Sequence, residues 1–205
     1  MTRPRVLIIY GTSYGQTAKI AARIEAGLLR RGHLVTAVNA ALSAPPPLLS
    51  FDGIVVGSSI IARGHQKTIE RFIRANITQL NSTPCAFYSV SASAASKDPA
   101  GRKAAERVRD EFLEKMGWQP QLRTSVAGAI NYTRYNFLLR WYMKRASAQN
   151  GGDTDTSRDH EYTDWLQVES FARAVAQLVE RSSNGAIATR EPLERAVDDV
   201  TLVAR

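Results

Sequence analysis

The chain has 205 residues, 44% of them hydrophobic, and a formal net charge of +8. That length suits one domain burying a sheet with helices on both faces, and no apolar run approaches the roughly 20 residues that span a bilayer. A single cysteine, Cys85, excludes an internal disulfide or cysteine metal cluster, and His33, His65 and His160 lack metal-ligand spacing, so a reducing compartment and no metal are expected.

The first apolar run, Arg5–Tyr10, reads as a buried strand and is too short for a signal-peptide core. It runs into the hydroxyl-rich turn Gly11–Thr17. A helix follows over about Gln16–Arg31, with Ile20, Ile24 and Leu28 on one face and Gly32 at its end. A helix N-terminus at a strand end offers backbone N–H groups to a phosphate. Thr12, Ser13 and Thr17 are neutral donors that favour a monophosphate, for the turn lacks a P-loop lysine and a G-x-G-x-x-G pattern. The same residues also suit an ordinary strand-to-helix loop.

Leu34–Val38 predicts a second strand, and Ala44–Pro47 breaks the pattern, leaving room for a short or poor helix. Gly53–Ser58 predicts a third strand, then a helix over about Gln66–Leu80 with Ile69, Phe72, Ile73, Ile77 and Leu80 inward. Pro84–Ser91 is the fourth strand. A helix over Pro99–Met116 turns Val108, Phe112 and Met116 inward, Leu122–Ile130 is the fifth strand, and Asp164–Arg181 is the last long helix, capped by Asp164 or Thr163. Five strands alternating with helices predict an α/β fold, a doubly wound parallel sheet whose ligand sits beyond the carboxyl ends of the strands. The loops Gly11–Thr17, Ser58–His65 and Ser89–Asp98 leave those ends, and all are rich in Ser, Gly and Ala, letting backbone approach a flat ligand.

Residues 131–152 interrupt this alternation with five aromatics (Tyr132, Tyr135, Phe137, Trp141, Tyr142), four cations (Arg134, Arg140, Lys144, Arg145) and no acid. As a helix, Tyr135, Leu138, Leu139 and Tyr142 share one side, while Asn136, Arg140 and Lys144 form a stripe. Phe137 and Trp141 are left over. A basic helix with excess aromatics suits an anionic membrane surface or a large aromatic acid. It equally describes an insertion that packs its aromatics on the domain and shows its cations to water. The domain is expected to occupy residues 1–181, with 182–205 a tail in which Leu193, Ala196, Val197 and Val200 permit a short amphipathic helix. The net charge carries no recognisable nucleic-acid-binding motif, and no nucleic-acid partner is expected.

Gly11-Thr12-Ser13-Tyr14-Gly15-Gln16-Thr17 is similar to the flavodoxin phosphate loop, with Tyr14 where many flavodoxins have Thr or Asn. More specifically, Gly57-Ser58-Ser59-Ile60 with Gly64-His65, Leu80–Val90, Ala127–Tyr135, Gly151–Thr156 and Tyr162-Thr163-Asp164-Trp165 resemble the flavodoxin-like, quinone-dependent protoporphyrinogen IX dehydrogenases of bacteria. The likeness covers roughly residues 5–180, insertion included. Ala62 and Arg63 depart from it, standing where an arginine–aromatic pair is expected, and the tail is longer.

The resemblance implies FMN, its phosphate on Thr12, Ser13, Tyr14, Gly15, Gln16 and Thr17. Its ring system would lie between Ser58, Ser59, Ile60, Gly64 and His65 on one side and Ser89, Val90, Ser91 and Ala92 on the other. It further implies oxidation of a porphyrinogen with electrons passed to a membrane quinone, at a cytoplasmic location peripheral to the membrane. Tyr132, Arg134, Tyr135, Arg140, Trp141, Lys144 and Arg145 would serve substrate, membrane or both. Lys97 and Arg102 are further candidates to guide propionates, and His65 is a candidate for proton transfer or a loop histidine that bonds backbone. A flavodoxin-type carrier, or a quinone reductase with another donor, stays open as the alternative.

Overall fold

Val6, Leu7, Ile8 and Ile9 are wholly shielded from solvent in β1 (Arg5–Gly11), as a strand covered on both faces requires. The computed structural model describes residues 3–61, 64–149 and 152–202, with side chains through 183 apart from 149. Ala62 and Arg63, Asn150 and Gly151 of the insertion, and the last three residues of the tail lie outside the described residues.

After β1 come α1 (Gln16–Leu29), β2 (Leu34–Asn39), β3 (Gly53–Ile61), the two-residue β4 (Gly64–His65), α2 (Lys67–Ala75), α3 (Ile77–Ser82) and β5 (Cys85–Ser91). The chain continues through α4 (Pro99–Met116), β6 (Leu122–Ala127), β7 (Ala129–Ile130), α5 (Phe137–Gln149), β8 (His160–Glu161) and α6 (Trp165–Leu202). The sheet has the order β2-β1-β3-β5-β6, every pair parallel, so the doubly wound reading is borne out. On one face Ile8, Val55 and Tyr88 meet α1 and α6 through Ile24, Val175 and Val179. On the other, Ile9, Val56 and Phe87 meet α2 and α4 through Ile69, Phe112 and Met116. Each wholly buried Ile, Val or Phe contributes roughly 1.5–3 kcal/mol of apolar transfer.

Three elements differ from the sequence expectation. The helix predicted over Gln66–Leu80 is interrupted at Asn76, whose φ of −126° is not helical and whose side-chain amide donates to the Phe72 carbonyl at 2.8 Å. The strand predicted to reach Ile130 leaves the sheet at Gly128, where β7 turns to pair antiparallel with β8. After the proline run the expected short helix is a single 3-10 turn over Leu48–Ser50. Finally, α6 runs on to Leu202 through Ser182–Gly185, where a break was expected; Ser, Asn and Gly lower helix propensity without forbidding a helix.

Candidate functional site: a phosphate loop walled by the insertion

Gly11 opens the loop because nothing larger fits: a β-carbon there would lie 2.8 Å from Ile69 Cγ1 and 2.9 Å from Gln66 Cβ. Gly15 adopts φ +95° and caps α1, a left-handed conformation that glycine takes without strain. Its N–H donates to Thr12 Oγ1 at 3.0 Å, fixing the turn and leaving the Thr12 hydroxyl hydrogen to donate elsewhere. The first bond inside α1 is Lys19 N–H to the Gly15 carbonyl at 3.1 Å, so the N–H groups of Gln16, Thr17 and Ala18 lie at the open end of the helix. Thr17 is 1% exposed, lines the cavity above this end, and its Oγ1 has no hydrogen-bond partner among the described residues. A buried hydroxyl left unpaired costs free energy, and an oxygen-rich ligand seated on the loop would satisfy it.

The cavity, about 370 Å³, continues from this loop over Ser59 and Ile60 at the end of β3 and Val90, Ser91 and Ala92 at the end of β5. Ser59 is held by Gln66, whose Nε2 donates to Ser59 Oγ at 2.8 Å and Ser13 Oγ at 2.6 Å, while its N–H donates to Ser58 Oγ at 3.0 Å. Gln66 thereby joins the Gly11–Thr17 loop to the end of β3. Ser91 Oγ accepts from the Ala94 N–H at 3.2 Å, shaping the loop after β5. A terminal phosphate and a flat ring suit these parts: neutral donors at the helix end, then a shallow apolar slot with backbone at its rim.

Other candidates lie off the cavity. Ser58 and Ser89 are buried beneath it, and Gly64 is exposed on β4. His65 stacks on Phe112 with ring centroids 4.0 Å apart, and its Nε2 lies 3.0 Å from Ser89 Oγ. Burial holds its pKa down at about 4, partly opposed by Glu70, so the imidazole is neutral near pH 7. Arg102 donates to the Ser96 and Lys97 carbonyls at 2.8 and 3.0 Å, shaping the loop on which Lys97 lines the cavity.

The insertion builds the far wall. Tyr135 and Leu139 pack with Tyr14 and Ala92, and the Tyr14 and Tyr135 rings meet edge-on with centroids 4.8 Å apart. Arg134 donates from Nη1 to the Tyr14 carbonyl at 3.2 Å. Tyr132 is fully buried, with its hydroxyl on the Asp153 carbonyl at 2.9 Å, so it anchors the insertion from beneath. Leu138 does not join Tyr135 and Leu139 on the packed side as the helical reading expected; it is 74% exposed, and Met143 takes that place because the helix starts only at Phe137. Nor does Arg140 lie on an open stripe: it folds back, donating from Nη2 to the Tyr135 carbonyl at 3.1 Å. Phe137 and Trp141 are exposed beside Lys144 and Arg145. Asp153 closes the insertion at its base, where its carboxylate accepts from the Tyr162 hydroxyl at 2.7 Å. Burial and this neighbouring carboxylate push the Tyr162 hydroxyl up to about 12.

Residues 7–157 match the flavodoxin domain family. A protoporphyrinogen IX dehydrogenase [quinone] from Escherichia coli (strain K12) is 33% identical over 86% of this chain and 97% of its own length. The chain belongs to the flavodoxin-type protoporphyrinogen IX dehydrogenase family. A Leishmania major relative bearing the same name is 29% identical over 85% of this chain and 76% of its own length. An archaeal flavodoxin structure aligns with a TM-score of 0.51 at 16% identity, covering 86% of this chain and 99% of its own. The oxidised flavodoxin 1 of Bacillus cereus aligns at 0.50 and 16%, covering 86% and 97%. These confirm the sheet architecture.

For a dehydrogenase of this family, the sequence reading omits several residues the structure brings to the cavity, among them Ser96, Asn131, Met143 and Tyr162. Ser96 falls in the Ser/Ala-rich loop after β5, and its buried Oγ has no hydrogen-bond partner among the described residues. Asn131 and Tyr162 lie in the segments that carry the family resemblance; only their approach through β7 and β8 makes them neighbours. Gln66 bore no signal beyond being the first residue of a predicted helix.

Proposed function

We infer that this chain oxidises protoporphyrinogen IX to protoporphyrin IX with FMN as its redox group, delivering the electrons to a membrane quinone. What carries the reading is the insertion's seat. An aromatic-basic segment walls a flavodoxin-type cavity in a chain that aligns with 97% of a quinone-dependent protoporphyrinogen IX dehydrogenase. FMN, when bound, supplies hydride and single-electron chemistry; the protein supplies orientation and electrostatics.

Thr12, Ser13, Tyr14, Gly15, Gln16 and Thr17 hold the phosphate through neutral donors and the end of α1. Ser59, Ile60, Val90, Ser91 and Ala92 bound the ring slot. Tyr135, Leu139 and Met143 shield that slot from water on the insertion side, giving an oily macrocycle an apolar surface. Lys97 at the cavity provides a cation for a propionate. His65, neutral and stacked on Phe112, holds the Ser89 position through its Nε2.

No described helix is long and apolar enough to cross a membrane. The exposed Phe137, Leu138 and Trp141, flanked by Lys144 and Arg145, suit the surface of an anionic bilayer, so the protein works peripherally at the cytoplasmic face, where quinone is at hand. The deciding experiment is anaerobic turnover of the FMN-loaded protein with protoporphyrinogen IX and a short-chain quinone, read by porphyrin fluorescence. Porphyrin formation that depends on quinone is the expected result. Bound flavin without turnover would return the chain to a carrier, and rapid flavin bleaching by NAD(P)H would make it a quinone reductase with another donor.

A further inference from the structure

The phosphate loop Gly11–Thr17 contains no cation, and the nearest on α1, Lys19, is paired through Nζ with Glu161 Oε2 at 2.9 Å. A cation nevertheless reaches the loop, from a segment more than a hundred residues away. Arg134 sits in the 3-10 turn Tyr132–Arg134 and contacts the Tyr14 carbonyl through Nη1. The same nitrogen lies 3.9 Å from where a β-carbon on Gly15 would be, directly beside the residue that caps α1. Two contacts fix it there. Thr133 donates from its N–H and hydroxyl to Asp159 at 3.0 and 2.8 Å, and the Tyr135 ring meets Tyr14 edge-on. With both neighbours pinned, the guanidinium between them is held at the loop. Among the described residues no carboxylate pairs with it. The buried Thr17 hydroxyl, without a hydrogen-bond partner among the described residues, lines the cavity at this loop and independently marks a ligand position there.

We propose that Arg134 is a phosphate-binding residue of the flavin site, a cation added to a loop whose own side chains are neutral, supplied by the insertion rather than by the loop. The proposal rests on the FMN reading above. One guanidinium N–H is spent on Tyr14, and its remaining donors can meet a phosphate oxygen, a charge-assisted bond that neutral hydroxyls cannot match. Because that cation belongs to the insertion, phosphate binding and docking of the insertion favour each other.

The test compares FMN with riboflavin, which has the same ring system and no phosphate, by fluorescence quenching on the full-length protein. In R134Q the Kd for FMN is expected to rise about tenfold while that for riboflavin is unchanged. Added salt is expected to weaken FMN binding more in the wild type than in R134Q. R134K, which keeps the charge but loses the fork, is expected to fall between them. Equal loss of both flavins in R134Q would make Arg134 a mere prop of the Tyr14 carbonyl, and no loss of either would remove it from the site; both overturn the proposal. Should R134Q fail to fold, R134K decides alone: a lowered preference for FMN over riboflavin supports phosphate contact, and an unchanged one overturns it. A wild-type protein that binds neither flavin would instead sink the FMN reading itself.

Discussion

Tyr88 of β5 occupies the space that a side chain on Gly57 of β3 would need: a β-carbon built there would fall 2.0 Å from Cζ and 2.2 Å from the hydroxyl oxygen. The two residues face each other in register across the parallel ladder. The Tyr88 hydroxyl then reaches the Thr17 carbonyl at 3.4 Å, so the ring links the centre of the sheet to the first turn of α1. Burial, with a small contribution from Tyr10, pushes the phenol well above its ordinary range, so it stays a neutral donor.

Gly57→Ala should therefore destabilise the fold by about 3 kcal/mol, at the upper end of overpacking costs, because a wholly buried ring stands where the methyl would go. Urea unfolding of the two proteins measures it. A companion, Tyr88→Phe, keeps the ring and loses only a long hydrogen bond, for a cost of about 1 kcal/mol or less. A loss under 1 kcal/mol for Gly57→Ala would show that the ring has room to move.

His65 gives a pH dependence whose sign is fixed by its burial. Its pKa is about 4 in the folded protein against an ordinary value of 6.5, so between these limits the unfolded chain binds more protons. Stability should be complete above pH 6.5 and fall as pH drops toward 4, with a contribution on the order of 2 kcal/mol. His65→Gln keeps an amide for Ser89 and cannot titrate. Its urea stability should change less with pH over that window than the wild type's, and an identical slope would assign the acid sensitivity to other groups.

The ends of α4 were legible because they are local. Asp98 accepts from the Ala100 N–H at 3.0 Å, Pro99 takes the first position, and Gly117 closes the helix at φ +64°. The buried spacing of Ile20, Ile24 and Leu28 was equally plain, since a helix face depends only on residues four apart. The site was legible only where loop chemistry is local, as at Gly11–Thr17. Tyr132, Trp141 and Arg134 read alike as members of an aromatic-basic stretch, yet one is buried, one is exposed and one lies on the Gly11–Thr17 loop. Those fates depend on Asp153, Asp159 and Tyr14, partners far along the chain that no spacing announces. Gln66 is the same case, its role set by meeting Ser13 and Ser59 across two loops.

Thr17 should separate flavin binding from stability. Replacing it with Val removes a buried hydroxyl that has no partner among the described residues while keeping the side chain's shape. The apoprotein should then be unchanged or up to about 1 kcal/mol more stable, whereas FMN should bind about tenfold more weakly. Thermal unfolding without flavin and a titration with FMN test the two halves. Unchanged FMN affinity, in this variant and with Thr12→Ala added, would remove the phosphate assignment.

The outer face of α5 makes its own prediction. Lys144 and Arg145 are exposed beside Phe137 and Trp141 and do not line the cavity, so reversing both charges should leave flavin in place. Each basic residue near an anionic surface contributes about 1 kcal/mol, and charge reversal replaces attraction with repulsion. Lys144→Glu with Arg145→Glu should therefore lower co-sedimentation with phosphatidylglycerol vesicles at least about tenfold, leave the FMN absorption spectrum intact, and slow turnover with quinone embedded in those vesicles. Turnover with a short-chain quinone in solution should be unaffected, because that acceptor needs no bilayer. If vesicle binding persists in the double variant, the exposed aromatics hold the membrane without help from charge, and Phe137→Ser with Trp141→Ser becomes the pair that should release it.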